Sequence, residues 1–344
     1  MPDHRLAVVL FNLGGPDSPA AVRPFLQNLF SDPAIIGLPQ PFRGLLARFI
    51  AYRRAPVARA IYAKIGGASP LLPLTRQQAS ALQEGHGERG TVRVFVAMRY
   101  WQPRAQATAR AVAAFAPDRV ALLPLYPQFS TTTSASSLAD WHRAAAHAGI
   151  TAPTHAVCCY PGEPGLVAAQ AALIRQGLAE AAPHGTPRVL FSAHGLPQKI
   201  VDGGDPYQWQ VQQTAAAIVA ALDIPNLDWR VCYQSRVGPL KWLQPPIEAE
   251  IARAAVDRVP LVVVPIAFVS EHSETLVELD IEYRHRAAAQ GVPAYVRVPA
   301  VGTEAGFIAG LARLVGQALD RQPGIGSGTG RRLCPAACRR CALA

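Results

Sequence analysis

The run Arg188-Val-Leu-Phe-Ser-Ala-His-Gly-Leu-Pro197 closes an apolar segment on one imidazole, His194, with a glycine and then a proline directly behind it. Such a run reads as a buried strand that delivers His194 to the point where the strand stops. In open parallel sheets that edge is where ligands bind. An imidazole there can titrate near neutral pH or give a lone pair to a metal, and the glycine lets a ligand approach the backbone. It can equally hydrogen-bond its own turn, so the histidine alone does not define a site.

A second stretch, Ile266-Ala-Phe-Val-Ser-Glu-His-Ser-Glu-Thr-Leu-Val-Glu-Leu-Asp-Ile-Glu282, follows the apolar run that ends near Pro265. Glu271, Glu274, Glu278 and Glu282 are spaced by three, four and four, so in a helix they form one carboxylate stripe. Carboxylates in a file repel one another, which suits a cation or proton path, although a solvated face is the ordinary use of such a stripe. An imidazole and a carboxylate facing each other suit a divalent metal that is held briefly and handed on; retention normally takes more ligands. Tyr100, Trp101, Tyr126, Phe129 and Trp242 stand near strand ends, where they can stack on a flat ligand or fill a core.

The elements that must position these groups follow from patterning. With 344 residues, half of them hydrophobic and 16% charged, the chain can bury two cores. Val8–Asn12, Arg93–Met98, Val120–Pro124 and Thr154–Cys158 read as strands, with helices over Ala105–Phe115 and Ser134–Ala148. Val189–Ser192, Arg230–Tyr233, Leu261–Val264 and Ala294–Val298 repeat the scheme, with helices over Pro206–Leu222, Ile247–Ala255 and Ser273–Gln290. The alternation predicts α/β architecture with parallel sheets covered on both faces. Leu10-Phe11 before Gly-Gly-Pro16 resembles Leu190-Phe191 before Gly-Leu-Pro197, so the halves read as a duplication with the cleft between them as the natural site. The domains expected are 1–160 and 161–302, then a helix over 303–320, and a linker with a cysteine-rich tail over 321–344. The linker, Gln322 to Gly330, is expected to be flexible.

The net charge of +10 favours anionic partners. From Pro33 to Gln83 no residue is acidic, while Arg43, Arg48, Arg53, Arg54, Arg59, Lys64 and Arg76 are basic. Phe42, Leu45, Leu46, Phe49 and Ile50 there fall at helical spacing, a basic amphipathic lip over about 33–64. Such a helix can lie on an anionic membrane, rim a pocket for an acidic apolar ligand, or pack on its own domain. No apolar run spans a membrane, Met1–Leu13 lacks the features of a signal peptide, and no nucleotide-binding motif occurs. A cytoplasmic protein without a nucleic-acid partner is expected.

Leu10-Phe-Asn-Leu-Gly-Gly-Pro16, Gly66-Gly-Ala-Ser-Pro-Leu71, Met98-Arg-Tyr100, Tyr126-Pro-Gln-Phe-Ser-Thr-Thr132, Ser192-Ala-His-Gly-Leu-Pro197, Tyr233-Gln-Ser-Arg-Val-Gly-Pro239 with Trp242, and Ser270-Glu-His-Ser-Glu-Thr-Leu276 with Glu278-Leu-Asp280 together resemble the ferrochelatases, from about residue 6 to 320. The resemblance implies two flavodoxin-like, Rossmann-like domains with parallel four-stranded sheets, as in the class II chelatases. It implies insertion of ferrous iron into protoporphyrin IX, giving protohaem; coproporphyrin is the alternative substrate, and a soluble haem or tetrapyrrole carrier the alternative from another class. Carried over motif by motif, His194 becomes the active-site histidine, as iron ligand or proton acceptor, and Glu274 the opposing carboxylate. Leu13, Arg99, Tyr100, Ser130, Trp242 and His272 become pocket residues, and Glu271 and Glu278 belong to the acidic path. Substrate propionates would favour arginines at the pocket mouth, as in the cationic lip.

Cys334-x3-Cys338-x2-Cys341 is similar to the tail of ferrochelatases that carry a [2Fe–2S] cluster, which normally takes four thiolates. Where animal-type members have the fourth cysteine this chain has Thr131, so the resemblance points to Cys159, or else Cys158, over Cys232. A zinc-binding or unliganded tail is the other reading. Peripheral membrane association and oligomeric state stay open.

Overall fold

The computed structural model describes residues 4–85, 91–236 and 238–344. Met1–Asp3, from the segment read for a signal peptide, and Val237, within the Tyr233–Pro239 motif, lie outside the described residues. The chain divides into two compact units: Met1–Tyr160 with Leu311–Leu333 and Leu343, and Pro161–Gly310 with Cys334–Ala342 and Ala344.

In chain order the elements are β1 (Arg5–Asn12), α1 (Val22–Phe30), α2 (Phe42–Ala63), α3 (Leu71–Glu84), β2 (Thr91–Met98), α4 (Ala105–Phe115), β3 (Arg119–Pro124), α5 (Ser134–His147) and β4 (Thr154–Val157). There follow α6 (Pro164–Ala181), β5 (Arg188–His194), α7 (Gln198–Asp202), α8 (Tyr207–Leu222), β6 (Trp229–Gln234), α9 (Ile247–Asp257) and β7 (Leu261–Pro265). A π-helix (Glu274–Tyr283), α10 (Arg284–Ala289), β8 (Tyr295–Arg297), α11 (Ala305–Leu319) and β9 (Gly324–Gly326) complete it.

The first unit's sheet runs β2-β1-β3-β4-β9 and the second's β6-β5-β7-β8, with every pairing parallel. Parallel strands need crossovers that lay helices on both faces, so their sequences are continuously apolar. In β1, Ala7, Val9 and Phe11 pack toward Ala109, Val112 and Trp141, while Val8 and Leu10 are equally enclosed. In β5, Val189, Phe191 and Ala193 meet Ile174, Val211 and Ile218, and Leu190 on the opposite face meets Ile247, Ile251 and Leu279.

Numbered within each unit, both sheets share the order 2-1-3-4, so the weak repeat in the sequence is a repeat of topology. The order reverses between β1 and β3 and between β5 and β7, and the carboxyl ends of these strands are the ligand-binding edges of such sheets.

Two expectations are corrected. The first sheet has five strands, not four, because Gly324-Ile325-Gly326 of the expected flexible linker pairs with β4, from His155 opposite Gly324 to Val157 opposite Gly326. Glycine-rich composition signals a loop, but the open edge of β4 presents backbone groups that need partners, and Cys158 donates its N–H to Gly326 O at 2.8 Å. The helix expected over Ser273–Gln290 is a π-helix followed by a short α-helix. In α2, the inner side is Ala47, Ala51, Ala55 and Tyr62, whereas Phe42, Leu45 and Phe49 point to solvent with more than 60% of their surface exposed. The small residues recur every four positions and form the side that joins the cluster with Val22, Phe25 and Leu26 of α1.

Candidate active site

His194 is the last residue of β5, at the carboxyl edge beside β7 where the second sheet's strand order reverses. Gly195 follows because the chain turns against β6: it donates its N–H to Gln234 O at 2.9 Å, and a Cβ at Gly195 would lie 2.9 Å from that oxygen and 3.4 Å from the Trp242 ring. Two more backbone bonds, Leu243 N–H to Leu196 O at 3.0 Å and Gln198 N–H to Lys241 O at 2.8 Å, hold Trp242 alongside. Its buried indole Nε1 has no hydrogen-bond partner among the described residues.

After β7 the chain enters the π-helix, whose wider turn re-aims side chains relative to an α-helix and recurs at functional sites. Glu274 is its first residue, and its Oε2 lies 2.7 Å from His194 Nδ1. His272 Nε2 is 3.8 Å from the same oxygen, its ring set 4.5 Å from that of Phe268. Glu278, one turn on, accepts from Gln234 Nε2 at 3.1 Å, from the Ser235 N–H at 2.9 Å, from Ser235 Oγ, and from the Tyr283 hydroxyl at 3.2 Å. Ser235 Oγ also reaches Glu274 at 3.4 Å, so one hydroxyl touches both carboxylates. Ser235 holds a left-handed backbone, φ 63°, an uncommon conformation for a non-glycine residue and one that clusters at ligand-binding positions.

The charges separate accordingly. Burial alone would lower the His194 pKa, but the Glu274 carboxylate and its hydrogen bond, with Glu278 behind, raise it above the ordinary 6.5. Burial would raise Glu274, yet His194 and His272 hold it well below the usual carboxylate value. Glu278 is raised by burial and by the neighbouring Glu274 charge. The three groups form an ion pair with a third member biased toward keeping its proton, an arrangement able to take up and pass on protons.

Of the expected stripe, Glu274 and Glu278 share a side of the π-helix, but Glu271 precedes the helix. Its carboxylate accepts from Arg297 Nη1 and from the Ala300 N–H at 2.9 Å, with Arg297 also bonded to Asp280. Glu282 is exposed. The four-residue file is therefore a pair. Gln234 and Ser235 fall in the Tyr233–Pro239 motif but were given no role there, and nothing in the sequence pointed to Arg297.

In the first unit, Arg99 is buried with its guanidinium 2.8 Å from Asp32 and 3.4 Å from Asp140, and its Nε donates to Ser136 Oγ at 2.7 Å. Tyr100 is 1% exposed and donates its hydroxyl to Asp32 at 2.8 Å. Both side chains are thus committed inside the unit, and Asp32, whose role no spacing announced, ties them together. Leu13 is half-buried at the end of β1, its carbonyl accepting from the Tyr100 N–H at 2.9 Å. Ser130 is buried just before α5, within 2.9 Å of Thr132 Oγ1.

Cys158 and Cys159 are buried after β4 with their sulfurs 3.5 Å apart. In the tail, Cys334 and Cys341 are buried and Cys338 is half-buried; Cys338 N–H bonds Pro335 O, Cys341 N–H bonds Cys338 O, and Gln210 Nε2 donates to Cys334 Sγ at 3.1 Å. These thiols are of the type an iron–sulfur cluster takes. Among the described residues, however, no group of three or more His, Cys, Asp or Glu is drawn together closely enough to hold a metal ion.

No helix among the described residues is long and apolar enough to cross a membrane. The fold is shared with the sirohydrochlorin chelatase SirB from Bacillus subtilis subspecies spizizenii, solved with cobalt, at a TM-score of 0.51 and 11% identity over 92% of this chain and 96% of that one. The chain is 56% identical over 342 residues to a ferrochelatase from Phenylobacterium zucineum (strain HLK1), covering 98% of each. It is 53% identical to a ferrochelatase from Caulobacter vibrioides (strain NA1000 / CB15N), covering 93% of this chain and 92% of that one. Residues 5–319 match the Ferrochelatase family as a whole, and with two relatives this similar along their length the chain belongs to the ferrochelatase family.

Proposed function

We propose that the protein inserts Fe²⁺ into protoporphyrin IX, releasing two protons and forming protohaem. The observation that carries this is the His194–Glu274 pair at 2.7 Å on the ligand-binding edge of the second sheet. Two pyrrole N–H protons must leave as the metal enters, and a porphyrin bound out of plane exposes its nitrogen lone pairs. In its neutral form His194 acts through Nε2 as proton acceptor or transient iron ligand, while Glu274 balances the charge the imidazole acquires on protonation. Glu278, sharing Ser235 with Glu274, relays protons by releasing the one it holds as it receives the next. Trp242 and His272 border the macrocycle. Arg99 and Tyr100, braced by Asp32, are held inside the first unit and are not free to reach a ligand with their polar groups. The test is anaerobic iron insertion into protoporphyrin IX, read in the visible spectrum, with coproporphyrin in parallel; insertion absent with protoporphyrin contradicts the reading.

Cys334, Cys338 and Cys341 would supply three thiolates of a [2Fe–2S] cluster, supported by three thiols within eight residues and the amide donor on Cys334. Its expected mark is a visible absorption band lost on Cys334→Ser. The outward Phe42, Leu45 and Phe49 of α2, flanked by arginines, support peripheral contact with a membrane.

A further inference from the structure

Beside α1 and α2 lies an open cleft of about 340 Å³ lined by Arg23, Tyr52, Arg53, Ala55, Pro56 and Arg59. Tyr52, Pro56 and Arg59 fall on one side of α2, spaced by four and three, and Arg53 lies three before Pro56. Arg23, in the first turn of α1, faces them.

Three arginines therefore line a cleft with no carboxylate in its lining. None of the three forms an ion pair among the described residues, and the sequence from Pro33 to Gln83 contains no acid to supply one. Two are already oriented. The Arg23 guanidinium lies 5.4 Å from the centre of the Tyr52 ring, and Arg59 Nε donates to Pro19 O at 3.1 Å, fixing the plane while leaving its two terminal nitrogens. Like charges gathered without a counter-ion repel, and an anion bound among them relieves that repulsion. Planar, forked donors in this number suit the oxygens of a phosphate.

The source of the phosphate follows from the surroundings. Phe42, Leu45, Phe49 and Tyr52 are spaced by three, four and three, and each exposes more than 60% of its surface. An apolar row thus runs along α2 and ends at the cleft through Tyr52. A ligand with an anionic head beside an apolar body matches both features.

We infer that this cleft binds the phosphate of an anionic glycerophospholipid, so that Arg23, Arg53 and Arg59 fix the headgroup while the Phe42–Tyr52 row enters the acyl boundary. The inference rests on the membrane contact proposed above and adds to it a defined headgroup site.

The full chain is sedimented with vesicles of phosphatidylcholine alone and of equal parts phosphatidylcholine and phosphatidylglycerol. Wild type is expected to partition onto the phosphatidylglycerol vesicles only. Arg23→Gln, Arg53→Gln and Arg59→Gln should each lower that partition several-fold more than Arg48→Gln, an exposed arginine of α2 outside the cleft, whose loss stays within the roughly fivefold of one surface cation. Unchanged thermal unfolding by circular dichroism verifies that each variant is folded, and a cleft variant that fails this is replaced by its lysine form, which keeps the charge and loses the fork. Equal losses at all four arginines overturn the headgroup site but leave membrane contact standing. No partition of wild type onto either vesicle overturns both. Release of wild type from the vesicles by millimolar inorganic phosphate overturns the assignment to a lipid and makes free phosphate the ligand.

Discussion

Nδ1 of His194 and Oε2 of Glu274 are 2.7 Å apart although eighty positions separate them in the chain. The contact exists because β5 and β7 are adjacent parallel strands, so the residue that ends one meets the helix that follows the other. A parallel sheet places such residues together whatever their separation in sequence.

The pair sets a pH dependence whose sign is fixed. With its folded value raised above 6.5, His194 contributes stability that is complete below pH 6.5 and is lost as pH rises through that folded value. Glu274, depressed below 4.5, contributes stability present above pH 4.5 that is lost as pH falls through its folded value. Glu278, raised, acts oppositely, subtracting stability as pH climbs above 4.5. In Glu274→Gln the imidazole should titrate at lower pH than in wild type, followed by NMR of the His194 ring protons; an unchanged or higher midpoint would show that Glu274 does not set its charge.

Gln234, fully buried, accepts from Ser192 Oγ at 2.7 Å and donates to Glu278. Gln234→Leu takes the acceptor from the buried Ser192 hydroxyl and one of four donors from Glu278, and an unsatisfied buried group costs about 1–3 kcal/mol. Urea unfolding should show a loss of that order, whereas a neutral effect would mean that the two partners find other bonds.

Asp32→Asn removes the shorter of Arg99's two ion pairs and leaves only Asp140, at 3.4 Å. Breaking a buried ion pair costs about 3–5 kcal/mol, more than a surface pair would. Urea unfolding followed by circular dichroism should detect it, and a change within about 0.5 kcal/mol, as at an ordinary surface position, would contradict the bracing role given to Asp32.

Much of this was legible in the residues, for identifiable reasons. The continuous apolar runs at Val8–Phe11, Val189–Ser192 and Leu261–Val264 are what doubly covered parallel strands require, so they specified strands and fold class together. Imidazole and carboxylate could be named as partners because their motifs fall at equivalent strand ends. Spacing did not reveal that the helix opening at Glu274 is π, since i and i+4 share a side in either geometry, nor that Glu271 is drawn away by Arg297. The strand Gly324–Gly326 was hidden because its signal is the vacant edge of β4, which composition does not encode.

That strand is itself testable. Truncation after Asp320 removes the partner of β4 and the acceptor of the Cys158 N–H. Hydrogen exchange should accelerate at Cys158 while β1 amides stay protected; equal protection in the truncated chain would remove β9 from the sheet.

The most direct measurement of the central claim is anaerobic iron insertion into protoporphyrin IX by His194→Ala and Glu274→Gln, with porphyrin binding followed by fluorescence in the same samples. Both variants should bind porphyrin with near wild-type affinity while insertion falls by at least the roughly hundredfold that one positioned proton-transfer group contributes. Wild-type turnover in either variant would contradict the account.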